Sequence, residues 1–270
     1  MKPIQTDGSD EALVTAIRAN LCDFFRLLSR SNATEHFEND RFTRWYAPIS
    51  YPWFNGVLCS NPPDERDTDF IAETIQYFRA KKVGTFTWWM EPQLTASDWQ
   101  PALARLSMGF SDDTPGMAIE LDKLQNAQSA VNGFEIRIVD DEESLQAWAK
   151  TFVKGYGLPP DWEWSAFDLW RQLGLDLPIR NYLGYLNGKP VSTSSIFLGG
   201  GVAGIYCVST LPEARGRGLA AALTLQPLLE ARERGYRIGV LQSSKMGFDL
   251  YKRLGFRQLC QIEYFYLSLL

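Results

Sequence analysis

Histidine is almost missing from this chain: His36 stands alone among 270 residues. The 4 cysteines, Cys22, Cys59, Cys207 and Cys260, include no Cys-x-x-Cys pair, so zinc-ligand spacing is lacking and no metal is expected. Isolated thiols fit a reducing compartment. No apolar run approaches membrane-spanning length, and Met1 to Asp10 holds no apolar stretch of the signal-peptide kind. The expectation is a soluble cytoplasmic protein with no membrane partner. Basic clusters are short and the net charge is −5 with a pI near 5.1, which disfavours a nucleic-acid partner. Neither Gly-Lys-Ser/Thr nor Gly-x-Gly-x-x-Gly occurs in the Arg/Gly-rich turn ahead of Leu219, excluding a Walker A loop there and weakening a dinucleotide reading.

Apolar residues, by contrast, are plentiful. They make up 45% of the chain and aromatics 13%, enough for a sizeable core. The length suits two units of about 130 residues each. A polar stretch from Asp122 to Gly133 separates them, predicting domains over 1–125 and 132–270.

After the divide the elements read in order. Phe134 to Val139 alternates as a strand, and acidic Asp140 to Glu143 opens a helix running to about Lys154. Trp162 to Leu173 is a second helix. Tyr182 to Leu186, Asn187-Gly188 and Val191 to Leu198 form a hairpin, and Val202 to Thr210 a further strand. A helical pattern from Leu219 to Arg234, bent at Pro227, precedes a strand over Arg237 to Gln242, a last helix and a last strand.

Between the strand ending at Thr210 and the helix opening at Leu219 lies Arg215-Gly216-Arg217-Gly218. A strand, a Gly-rich turn and a helix in that order present free backbone N–H groups at a positive helix terminus, which suits phosphate. Gly216 and Gly218 allow close backbone approach, and Arg215 and Arg217 add positive charge.

Arg215-x-x-Gly218-x-Ala220 resembles the pyrophosphate loop of the GNAT superfamily of acetyl-CoA-dependent N-acyltransferases. Leu250-Tyr251-x-x-Leu254-Gly255-Phe256 resembles the same family's second motif, in the right order with a helix and strand between. The resemblance implies an α/β fold with a mixed sheet (α+β) in the C-terminal half. It also implies an enzyme that moves an acetyl group from acetyl-CoA directly to a primary amine, with acetyl-CoA as donor substrate.

The residues it assigns follow from these motifs. Main-chain groups of Val208, Ser209 and Thr210 would pair with the acyl-pantetheine, and one N–H there would polarise the thioester carbonyl. Backbone N–H groups from Arg215, Gly216, Arg217, Gly218, Leu219 and Ala220 would hold the pyrophosphate. Tyr251 would be the general acid for the departing thiolate. Ser244 stands where the family often has Asn, as a shorter-reaching cofactor contact. His36 is too far away in sequence to serve as base, leaving Glu163, Asp168 or a water relayed past Tyr206 or Ser192, among which spacing does not choose. Trp162 and Trp164 fall where the family often shapes its acceptor pocket. The acceptor and the oligomeric state are not specified.

The N-terminal half has a related rhythm. Leu13 to Leu28 reads as helix, Trp53 to Cys59 as strand, Asp69 to Lys81 as helix and Thr85 to Met90 as strand. Leu103 to Gly109 suggests a helix and Gly116 to Leu121 a final strand. Aligning the two Gly-Phe pairs sets Arg105 opposite Tyr251. Asn61-Pro-Pro-Asp-Glu-Arg-Asp67 replaces the Arg-Gly turn, and being rigid and acidic it suits a pyrophosphate poorly. The expectation is a degenerate GNAT-like unit without a cofactor loop, in a tandem arrangement with one active site. Alternatives are a non-catalytic acyl-CoA sensor with a pseudo-GNAT interaction domain, or a ligase using an aminoacyl donor.

Overall fold

The computed structural model describes residues 3–49, 51–65, 67–124 and 131–269, with the backbone alone for 110–113. The divide expected around 125–130 lies outside the described residues. The N-terminal half contains α1 (Asp10–Ser29), β1 (Glu35–Glu38), β2 (Phe42–Tyr46), β3 (Asn55–Cys59), α2 (Asp67–Ala80), β4 (Thr85–Met90), α3 (Ala96–Ala104) and β5 (Gly109–Glu120). The C-terminal half contains β6 (Phe134–Ile138), α4 (Glu142–Tyr156), α5 (Glu163–Leu173), β7 (Ile179–Leu186), β8 (Lys189–Gly199) and β9 (Val202–Thr210). It closes with α6 (Leu219–Glu233), β10 (Ile238–Gln242), α7 (Phe248–Arg253) and β11 (Arg257–Ser268).

The C-terminal elements follow the order that the periodicity predicts. The N-terminal half departs in three places. Two short strands, β1 and β2, precede the first predicted one. The helix expected at Leu103 to Gly109 lies earlier, over Ala96–Ala104, opened by a capping box between Thr95 and Asp98. The final strand starts at Gly109 rather than Gly116.

All strands join one 11-stranded sheet in the order β1-β2-β3-β4-β11-β5-β10-β9-β8-β7-β6. Among the described residues β3/β4 and β9/β10 pair in parallel and the other pairs are antiparallel. Each half's last strand sits in the other half's sheet: β11 pairs with β4, and β5 pairs with β10. The two exchanged strands pair with each other at the centre. The halves thus share their innermost strands, and neither has a complete sheet of its own.

Helix α1 strengthens this interlock. Its apolar stripe, Leu13, Ile17, Leu21, Phe24, Phe25 and Leu28, follows helical spacing and is buried in a core with α4, α5 and strands of both halves. Each such side chain stabilises by about 1.5–3 kcal/mol. Asn20 on the same helix is fully buried; its Nδ2 donates to Gly199 O at 2.8 Å, and its Oδ1 accepts from Tyr206 Oη at 2.7 Å. On the opposite face α2 and α3 cover the N-terminal strands, and α6 and α7 cover the C-terminal ones.

Candidate functional site

Strand β9 is paired with β10 only over Ala203–Ile205 against Gly239–Leu241. It then runs on to Thr210 with β8 as its ladder partner, so the two parallel strands part at Ile205. Within the open stretch β9 bulges: Cys207 and Val208 together face Ser194, and Cys207 holds φ 53°. A non-glycine residue in the left-handed region is a strained backbone held by its surroundings. The hold is visible: Thr193 Oγ1 donates to Cys207 O at 2.8 Å, and Ser192 Oγ donates to Ser209 O at 2.6 Å.

Past Thr210 the chain makes a short 3-10 turn over Pro212–Ala214 and enters the Gly-rich loop. Gly216 and Gly218 have φ 75° and 80°, which an L side chain adopts only at a cost of about 1–2 kcal/mol. Helix α6 then begins with Gly218 as its N-cap and no capping side chain. The backbone N–H groups of 216–221 have no acceptor among the described residues. This is a bare helix terminus with its partial positive charge uncompensated.

The two arginines divide their work. Arg215 donates from Nε to Thr210 O and from Nη2 to Gly155 O, both at 3.0 Å, tying the loop to the end of β9 and to the last turn of α4. Arg217 is exposed and has no partner among the described residues, so it is the free cation at the turn. Leu219 is buried and anchors the first helical turn.

Tyr251 lies on α7, packed edge-on to Phe256 at 5.9 Å between ring centres. Only 8% of it is exposed, and burial raises its pKa well above the usual phenol value, with the Thr224 hydroxyl pulling the other way. The phenol therefore stays protonated at any physiological pH. Gly247 makes room for it: a Cβ there would lie 2.8 Å from Tyr251 Cε2. Ser244 is exposed, and its Oγ accepts from Gly247 N at 3.2 Å, so it shapes the turn into α7 while keeping a hydroxyl proton to donate.

The base candidates fare unevenly. Tyr206 is sealed under α1 by its bond to Asn20 and by Phe24 stacked at 4.2 Å. Ser192 is fully buried in the β8–β9 hydroxyl network. Neither is free to relay a water. Asp168 accepts from Arg171 Nη2 at 2.6 Å, and Glu163 is half-buried at the start of α5. His36 lies on β1, the edge strand of the other half. Trp162 packs against the core, whereas Trp164 is exposed beside Phe167.

One residue near the strand opening belongs to none of the sequence motifs. Gln242 ends β10, one position past the last β9 pairing, and both of its amide atoms are buried without a partner among the described residues. An orphaned buried amide costs about 1–3 kcal/mol, so its position calls for a reason.

The N-terminal half offers the equivalent places with different content. Its β3–β4 pairing runs to Cys59 and Met90, the last residues of both strands, and continues with Glu91 N donating to Cys59 O. At the following turn the Asp67 carboxylate accepts from Asp64 N at 2.6 Å and from Arg41 Nε and Nη2 at 3.0 and 2.6 Å. The two helix ends before β5 and β11 share one hydrogen-bond pattern: Met108 N donates to Leu103 O as Phe256 N donates to Tyr251 O. Ser107 at φ 63° takes the left-handed place that Gly255 holds at φ 97°. The residue matching Tyr251 is therefore Leu103, not Arg105. Aligning on glycine shifts the register by two, because here a serine adopts the turn conformation.

The fold and part of the sequence have counterparts among known proteins. Residues 201–259 match the family model described as an acetyltransferase (GNAT) domain. A GCN5-related N-acetyltransferase from Kribbella flavida superposes with a TM-score of 0.67 at 18% identity, covering 94% of this chain and 95% of its own. One from Sphaerobacter thermophilus gives 0.57 at 16% identity, with 98% and 93% covered. A tandem GNAT protein from the clavulanic acid biosynthesis pathway gives 0.57 at 14% identity, with 97% and 96% covered. No curated protein sequence matches the chain. The chain has the GNAT fold in a tandem arrangement, with a GNAT domain sequence in its C-terminal half. That fold and domain support acyl transfer in general. No helix among the described residues is long and apolar enough to cross a membrane.

Proposed function

We propose that the chain is an N-acetyltransferase with one active site, in the C-terminal half, using acetyl-CoA as donor and a primary amine as acceptor. The observation that carries this reading is the bare α6 terminus beside parted β9 and β10 strands, with Tyr251 on the neighbouring helix. In it, the N–H groups of 216–221 and the Arg217 guanidinium hold the pyrophosphate. The pantetheine enters between the strands along Val208–Thr210, and Ser244 donates a hydrogen bond to it.

The amine nitrogen attacks the thioester carbon, whose oxygen takes negative charge against a backbone N–H at the β9 bulge. A C–N bond forms and the C–S bond breaks. The amine gives up one proton and the sulfur gains one. Tyr251 donates toward the leaving sulfur and is reprotonated by the proton the amine releases. Its raised pKa makes it a poor reservoir of negative charge, so it acts as a relay and not as a resting tyrosinate.

Calorimetric titration with coenzyme A, and release of free thiol from acetyl-CoA over an amine panel, test the reading. Tyr251→Phe is expected to lower kcat by about 10²-fold with CoA affinity retained, in the range a positioned proton donor contributes. Binding without turnover on any amine would favour the acyl-CoA sensor instead. Unchanged kcat in Tyr251→Phe would remove the relay.

A further inference from the structure

The sheet ends in β6, whose outer edge has no partner strand among the described residues. Along the β6–β7 ladder the odd-numbered residues of β6 face β7. Val139 N donates to Asn181 O at 2.9 Å, and Gly133 O accepts from Asn187 N at 2.8 Å, both in the register of that pair. Antiparallel bonding alternates along a strand, so Phe134, Ile136 and Ile138 turn their main-chain groups outward. The Phe134 N–H is taken by Val131 O at 3.1 Å. The edge therefore offers the N–H groups of Ile136 and Ile138 and the carbonyls of Phe134, Ile136 and Ile138. An edge of this kind can template a further strand.

The side chains select which strand fits. Glu135 and Arg137 share one face, pair with each other and are about half-exposed; Arg137 also lies over the Tyr185 ring at 4.4 Å. Phe134, Ile136 and Ile138 share the other face. There Phe134 and Ile136 pack on a core that includes α6, and Ile138 stays 40% exposed. A second copy of β6, turned about a two-fold axis at Ile136, matches every one of these groups. Ile136 faces the partner's Ile136 and the two exchange main-chain bonds, while each Ile138 N–H meets the partner's Phe134 carbonyl. Glu135 faces the partner's Arg137 at both ends, in the positions between bonded pairs where side chains come closest. Ile138 lies beside the partner's Phe134, which covers its exposed surface.

The opposite edge offers no such match. The carboxylates of β1 are engaged within the chain, Glu35 with Lys81 and Tyr77 and Glu38 with Arg30. On β6 the pair within one chain is exposed and contributes little, so exchanging it for two pairs across the axis costs little.

We propose that β6 is a homodimer edge, on which two copies of the chain join antiparallel about Ile136 and run their sheets into one. The contact is self-complementary and closes on itself, so association stops at two. It is also short, which sets a weak, reversible dimer. The site proposed above lies on β9 and β10, inside β7 and β8, so the pairing stands independently of the donor reading.

Sedimentation velocity of the full chain, from about 1 to about 300 µM to span weak self-association, is the test. A reversible monomer–dimer equilibrium is expected. Arg137→Glu sets a carboxylate against the partner's Glu135, and Glu135→Arg sets a guanidinium against the partner's Arg137. Each variant alone is expected to weaken the dimer at least about tenfold. An equimolar mixture of the two restores opposite charges at both ends and is expected to form a heterodimer close to the original affinity. That rescue cannot come from a damaged fold. A chain that stays monomeric at the highest concentration would overturn the proposal, as would a dimer untouched by either variant or a mixture that stays monomeric. Association that continues past two, β1 of one copy on β6 of the next, would overturn it as well.

Discussion

The turn after β3 and the turn after β9 occupy corresponding places in the two halves, and they treat an anion in opposite ways. After β9 the helix N-terminus is capped by glycine, and its first N–H groups have no acceptor among the described residues. After β3 the protein supplies its own anion, Asp67, which accepts from the turn backbone and from Arg41. The strands beside them differ likewise: β9 and β10 part, whereas β3 and β4 stay paired to their ends. Leu103 stands where Tyr251 stands. One topology thus yields an open helix terminus and a filled one through a carboxylate, a few more ladder pairs and a leucine in place of a phenol. The closed half keeps a task, because its last strand completes the sheet of the open half.

Removing that shared centre should have the largest effect. A chain ending at Phe256 lacks β11 and exposes the facing edges of β4 and β5 together. We expect no folded product, neither half surviving alone, and the intact chain should melt in one calorimetric transition. Two separated transitions would show that the halves are independent units despite the exchange.

Asp67→Ala tests whether the closed turn is closed only by its carboxylate. Asp67 is buried and Arg41 would be left without its main partner, so a loss of about 3 kcal/mol is expected from denaturant unfolding. CoA stoichiometry should stay at one per chain, since β3 and β4 remain paired. A second equivalent of bound CoA would show that the anion alone had blocked a latent site.

How far the sequence reveals this contrast depends on the kind of signal. The Gly-rich turn and the C-terminal elements are legible because Gly, Asn-Gly and alternating apolar residues act locally. Strand β1, Glu35–Glu38, is exposed at every position and carries three polar or charged residues, so it shows no alternation to read. The strand exchange is invisible for a different reason: periodicity tells that β5 and β11 are strands, not which neighbour each chooses. Tyr51 and Tyr156, far apart in sequence, lie with ring centres 6.3 Å apart, a contact that only the tertiary fold makes. Gln242 could have been noticed as the one polar residue closing an apolar strand, though nothing local tells that its amide is orphaned.

Alkaline pH should weaken both halves together. Burial raises the pKa of Cys59 in the closed half and of Cys207 and Tyr251 in the open one. In the unfolded chain thiols and phenols ionise near their ordinary values of 9.0 and 10.0, while the folded groups keep their protons. The unfolded state then binds fewer protons, so stability is flat below about pH 9 and falls above it, by up to about 1.4 kcal/mol per pH unit for each group. Chemical denaturation from pH 7 to 11 measures this. Cys59→Ala and Tyr251→Phe should each reduce the slope while leaving one transition; a slope that responds to only one of them would separate the halves.

The smallest expected effect falls where β4 and β10 end. Met90 closes β4 and is buried; Gln242 closes β10 with an amide that nothing among the described residues satisfies. Gln242→Met makes the open half resemble the closed one at this point, exchanging an orphaned amide for an apolar chain of similar length. Removal of an unpaired polar group is neutral or stabilising, so the melting temperature should hold or rise, by the equivalent of at most about 1 kcal/mol. Acyl transfer should fall in the same variant, since groups kept at a cost to stability are typical of sites. Thermal melting and steady-state kinetics on one preparation decide the matter. A drop in melting temperature would mean that the amide holds the structure, and unchanged kinetics would mean that it serves neither substrate.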